Sequence, residues 1–166
     1  MKHGLPPIVW PDARILVLGS LPGDESLLRQ QYYGNPRNQF WSILGRVFDT
    51  QVADDYAARL AFLHEHGVAL WDVFARAERD GSLDSNIRNE TPNDFAELLR
   101  ALPRLRTIAL NGSKAAAAFA RHVRPRLVAR LETVRVLVMP STSPVPSRKF
   151  LDVAAKTEFW RAIAVS

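Results

Sequence analysis

Four short apolar stretches, residues 14–19, 68–73, 107–110 and 134–139, alternate along the chain with segments patterned as helices. No other feature of the sequence restricts the fold as strongly. Strands that are apolar nearly throughout, rather than at every second residue, belong in a sheet covered on both faces, and the intervening helices supply the crossovers that parallel neighbours need. The spacing predicts helices over 24–31, 39–48, 54–66, 92–102, 113–123 and 150–165. In the second of these, Phe40, Ile43, Leu44 and Val47 form one stripe. In the third, Tyr56, Leu60 and Leu63 do the same before Gly67 stops the helix. Thr91 reads as the cap of the fourth, with Pro92 at its first position. The expected fold is α/β: a three-layer α/β/α sandwich around a central four-stranded parallel sheet, built as one domain over 1–166. A chain of 166 residues, 47% of them apolar, suffices for one such core.

In sheets of this kind the working site lies beyond the carboxyl ends of the strands. Four segments should therefore carry the chemistry: 19–23, Asp72 onward, 111–113 and 140–144. All are rich in small or polar residues.

Composition narrows the chemistry. There are no cysteines, which removes disulfides, thiolate nucleophiles, iron–sulfur clusters and cysteine-held zinc. His64 and His66 are two apart and would point to different faces of a helix, so no metal site is expected. No apolar run approaches the roughly 20 residues of a membrane span. The opening Met1-Lys2-His3-Gly4 lacks the apolar stretch of a secretory signal, so a soluble cytoplasmic protein is expected. A net charge of +5 favours a polyanionic partner, though an ordinary basic surface explains it as well.

Gly19-Ser20-Leu21-Pro22-Gly23 is a tight strand-to-helix turn, without the glycine spacing of a dinucleotide fingerprint or the Gly-Lys-Ser/Thr of a phosphate loop. Asn111-Gly112-Ser113-Lys114 is not a phosphate loop either. In the segment from Tyr32 to Trp41, the tyrosine pair beside a Gly-Asn-Pro turn offers a surface on which a base can stack, while Phe40 and Trp41 read as core. Asn38 falls at a helix start. It is either an N-cap, a role that suits asparagine, or a polar group facing a ligand. From Ser141 to Lys149, hydroxyls, prolines and two cations form either a stiff connector or a DNA-facing loop. In the second reading Val145 and Pro146 act as small apolar wedges.

Taken together, these segments resemble the uracil-DNA glycosylase superfamily over roughly residues 14–160. The Gly-x-x-Pro-Gly turn, the Asn-Pro-x-Asn-x-Phe-Trp segment and the Ser-Pro loop occur in the family's order. Residues 19–23, 31–41, 81–85, 110–112 and 141–144 are most similar to its hypoxanthine-DNA (deoxyinosine) branch. The resemblance implies hydrolysis of the N-glycosidic bond of a deaminated base swung out of DNA, leaving an abasic site. Classical members carry Asp or Asn where this chain has Leu21, and His or Asn where it has Ser141. The hypoxanthine branch shares both losses and implies Asn38 as the catalytic residue, with Asn111 as a second polar group for the base. Leu21, Tyr33, Asp72, Asn111 and Ser143 are expected around the base, with Tyr33 stacked on it. Ser141, Pro144, Val145, Pro146, Arg148 and Lys149 are expected on the DNA. The implied enzyme is a monomeric, monofunctional hydrolase with no cofactor, acting on double-stranded DNA, with single-stranded DNA as the alternative. The alternatives are a uracil or mismatch glycosylase, a silent α/β module that binds DNA or a nucleotide, and an enzyme of nucleotide metabolism. The last lacks any phosphate-loop signature.

Overall fold

The computed structural model describes residues 1–144 and 151–165. In chain order the elements are β1 (Lys2–His3), β2 (Ile15–Gly19), α1 (Asp24–Arg29), α2 (Phe40–Val47), α3 (Tyr56–Glu65), β3 (Val68–Asp72) and β4 (Phe74–Glu78). They continue with β5 (Arg88–Pro92), α4 (Phe95–Arg100), β6 (Thr107–Asn111), α5 (Ser113–His122), α6 (Val128–Leu131), β7 (Arg135–Met139) and α7 (Val153–Trp160). The central sheet has four parallel strands in the order β3-β2-β6-β7. Successive residues of a strand point to opposite faces, and the two cores divide accordingly. Leu16, Leu18, Ala69, Ile108 and Leu110 pack with Phe95, Leu98, Leu99 and Phe119, drawn from α4 and α5. Ile15, Val17, Val68, Leu70 and Ala109 pack with Phe40, Ile43, Leu44, Phe62, Leu63 and Trp160, drawn from α2, α3 and α7. Phe40 and Trp41 belong to this second core. No helix among the described residues is long and apolar enough to cross a membrane.

A second sheet, β1-β4-β5, is antiparallel and goes beyond what the sequence predicts. It corrects the helix expected over 92–102. Thr91 and Pro92 lie in β5, and α4 begins at Phe95 behind Asp94, whose carboxylate accepts the Glu97 N–H at 3.3 Å. A proline is tolerated at the end of an edge strand, because no ladder donor is needed there. The helix expected over 24–31 also differs: its cap is Gly23 with no side-chain bond, and it ends at Arg29. Ser26 is buried, and its hydroxyl accepts the N–H of Gly34.

Candidate active site at the strand carboxyl ends

All four parallel strands end on one cavity of about 370 Å³. Its wall includes Leu21, Tyr33, Asn38, Asp72, Asn111, Ser141, Ser143 and Pro144. Every described residue that the sequence places at the base or on the DNA is thus brought to the same cavity. Val145, Pro146, Arg148 and Lys149 lie outside the described residues.

Gly19, the last residue of β2, leaves the space that the Asp72 carboxyl and the Tyr33 hydroxyl occupy. A Cβ there would sit 2.5 Å from Asp72 Oδ1 and 3.4 Å from the Tyr33 hydroxyl. The turn after β2 is held from above. The buried guanidinium of Arg79 donates to the carbonyls of Leu21 and Pro22, and lies 3.7 Å from Asp84. Asp84 accepts the Ser20 hydroxyl at 2.7 Å, and Ser82 accepts the Asp24 N–H at 3.0 Å. Residues 79–84 extend from the antiparallel sheet, so that sheet acts as a clamp on the first wall.

The second wall is the loop before α2. Tyr33 has a left-handed backbone, φ 53°, which a bulky residue adopts only under constraint. Its ring stacks on Phe40 with centroids 3.9 Å apart, and its hydroxyl accepts from Asn111 Nδ2 at 3.1 Å. Burial and the nearby Asp72 both raise the pKa of this hydroxyl, so it stays protonated. Asn38 is half-buried, and its Oδ1 accepts the Phe40 N–H at 2.9 Å. The capping role and the ligand-facing role are therefore compatible. One lone pair of the oxygen starts the helix, while the second lone pair and the amide nitrogen remain for other partners.

Asn111 and the loop after β7 make the third wall. The Asn111 amide donates to Tyr33 Oη and to Thr142 Oγ1 (3.0 Å), and accepts the Thr142 N–H at 3.0 Å. Both of its donors are thereby held by protein, which makes it an organiser of the cavity. Next to it, Gly112 has φ 96°, and a Cβ there would meet Ser141 at 3.1 Å, so only glycine permits this approach.

Two residues that carry this arrangement were not found in the sequence, Arg79 and Lys156. Lys156 is 6% exposed and donates to Gln39 Oε1 at 2.7 Å and to the Ser143 carbonyl at 3.2 Å. Burial lowers its pKa. The Trp160 indole donates to the Pro140 carbonyl, and Gln39 N donates to the Thr142 carbonyl, both at 2.9 Å. Helix α7 thus fastens the Asn38 wall to the last loop. A usable signal was present: Lys156 lies four residues before the fully buried Trp160, on the same helical stripe. Lys156→Met keeps the apolar stem and removes both bonds. We expect it to slow single-turnover excision roughly 10-fold, through misplacement of the two walls, while moving the melting temperature little. A variant with the wild-type rate would show that the two walls hold their positions without Lys156.

The family profile described as the uracil DNA glycosylase superfamily matches residues 6–164. The chain belongs to that superfamily. As a member of it, the protein is a DNA glycosylase, and its substrate is DNA. Over 116 residues it is 45% identical to a protein of Methanosarcina acetivorans named hypoxanthine DNA glycosylase, covering 69% of this chain and 73% of the relative. A protein of the same name from Methanosarcina barkeri is 40% identical over 114 residues, 68% of this chain and 72% of that one. A solution NMR structure from Methanosarcina acetivorans, placed with the uracil DNA glycosylases, superposes with a TM-score of 0.80 at 38% identity. That match covers 98% of both chains.

Proposed function

We propose that this glycosylase removes hypoxanthine from deoxyinosine in double-stranded DNA. It would act as a single domain over 1–166, as a cytoplasmic monomer without cofactor, and leave an abasic site. The observation that carries the reading is the presence of Asn38 in a cavity whose first turn offers Leu21 in place of an acidic or amide side chain. The names of the two Methanosarcina relatives support the same base.

In this reading the deaminated base is extruded into the cavity, at a cost lowest where pairing is already poor. Tyr33, supported from behind by Phe40, stacks on the base, and Leu21, Asp72 and Ser143 surround it. Asn38 orients the attacking water through its carbonyl oxygen. As the C1′–N9 bond breaks, positive charge develops on the sugar and negative charge on the base, so positioned dipoles matter more than basicity. Ser141 and Pro144 line the cavity, and the strand passes along them. Val145 and Pro146 serve as wedges and Arg148 and Lys149 as phosphate contacts.

The test uses labelled duplexes containing inosine, uracil, xanthine or only normal bases, with alkali revealing abasic sites. Alkali-labile sites in the inosine duplex, at a rate at least tenfold above that with uracil, are expected. Faster release of uracil would replace this reading with a uracil or mismatch glycosylase, and no release from any duplex would leave a silent binding module.

A further inference from the structure

Among the described residues of the cavity wall, Asp72 is the one buried carboxyl group with an oxygen that is buried and unpaired. It is 5% exposed, ends β3 and pairs in register with Gly19. Its Oδ2 is buried and has no hydrogen-bond partner, while Oδ1 lies against the Gly19 backbone. A buried carboxylate without donors is strongly disfavoured, whereas a buried carboxylic acid is tolerated and has a proton to give.

We propose that Asp72 is the general acid of the reaction, donating its carboxyl proton to a ring nitrogen of the departing purine. This deepens the hypoxanthine reading and rests on it. The C1′–N9 bond breaks with its electron pair on the base. The Asp72 proton moves onto a ring nitrogen, so hypoxanthine leaves neutral. The water held by Asn38 adds its oxygen to C1′, and its released proton restores the Asp72 acid. Leu21 fits this scheme, since an apolar neighbour in the first turn adds no donor that would favour the ionised form.

The surroundings agree. Burial, and after it the charge of Asp84, raises the Asp72 carboxyl to about 7, against a smaller opposing pull from Arg79. The remaining titratable neighbours are the hydroxyls of Tyr32 and Tyr33, both held protonated by burial. Arg79 itself is turned to Asp84 and the Leu21 and Pro22 carbonyls. An entering base removes more water and favours the acid further.

The experiment compares wild type with Asp72→Asn and Asp72→Ala on an inosine duplex. It records single-turnover excision from pH 5.5 to 9, duplex affinity, and melting temperature at each pH. The wild-type rate should be level in acid and fall tenfold per unit above about pH 7. Asp72→Asn should be roughly 10²–10⁴-fold slower at pH 6, keep its affinity for the duplex, and lose that alkaline limb. Stability gives a second readout. The folded pKa is raised, so the folded state gains from the bound proton in acid and loses that gain as pH rises through about 7. Asp72→Asn should therefore melt higher than wild type at pH 8 and show a flatter pH dependence. A wild type active on inosine whose rate is level or rises between pH 6 and 9 overturns the acid role alone. So does Asp72→Asn with the wild-type rate. A wild type with no activity on inosine overturns the hypoxanthine reading as well.

Discussion

Replacing Asn38 with alanine should cut single-turnover excision of hypoxanthine by roughly 10²–10³-fold, the scale of losing one well-placed polar group in a transition state. The same change removes the acceptor for the Phe40 N–H, so a stability loss of about 0.5–2 kcal/mol should accompany it. The two effects separate cleanly. Asn38→Asp preserves the acceptor for Phe40 and therefore the helix start, but replaces the amide nitrogen with a second oxygen and adds charge. It should fold like wild type and still excise poorly. Affinity for the inosine duplex should change much less than the rate, because the lost contact matters chiefly at the barrier. Melting temperature, affinity and single-turnover rate measured on one preparation decide the matter. A folded Asn38→Ala enzyme with near-normal excision would reduce Asn38 to a helix cap.

Asn111→Ala should be the most damaging single change to the stability of the site. It deletes three hydrogen bonds at once and leaves the Thr142 N–H, in a residue 1% exposed, without its acceptor. Each unsatisfied buried group costs about 1–3 kcal/mol, so a total near 3–5 kcal/mol is expected. For a chain of this size that corresponds to a fall in melting temperature of roughly 10 °C. Excision should fall too, because Tyr33 and the last loop lose their common anchor. Thermal unfolding followed by circular dichroism checks the first part, and a shift under about 2 °C would contradict it.

Much of this fold is written in the hydrophobic pattern. The runs Ile15–Gly19, Val68–Asp72, Thr107–Asn111 and Arg135–Met139 each lie within a residue of their expected bounds, because a strand buried on both faces can hardly contain anything but apolar residues. The edge strand β7 is the weakest of them, with Val138 61% exposed. The antiparallel sheet was illegible for the opposite reason. Phe74–Glu78 and Arg88–Pro92 carry charges and polar groups on a solvated face, and Thr91-Pro92 is also how many helices begin. The cavity itself was legible as a consequence of topology: segments after parallel strands must meet. Less legible was how the walls are fixed. Apart from the Arg79–Asp84 pair, Arg79 and Lys156 bind backbone carbonyls and an amide oxygen, and neither kind of partner leaves a charge pattern to read.

The grip of Arg79 on Leu21 and Pro22 also bears on the order in which the molecule assembles. That contact joins residues 58 and 57 apart in sequence. Lys2 adds a tie to Asp24 and to the Gly81 carbonyl, reaching 79 positions along the chain. Contacts across such separations form only after the intervening chain has been closed into a loop, an entropic cost met late in folding. The pairing of β2 with β3 closes most of that loop, so the first wall of the cavity forms on the assembled sheet rather than before it. Catalytic competence should trail the appearance of bulk structure in a refolding time course. In the native protein, transient release of residues 79–84 would open that wall without disturbing either core.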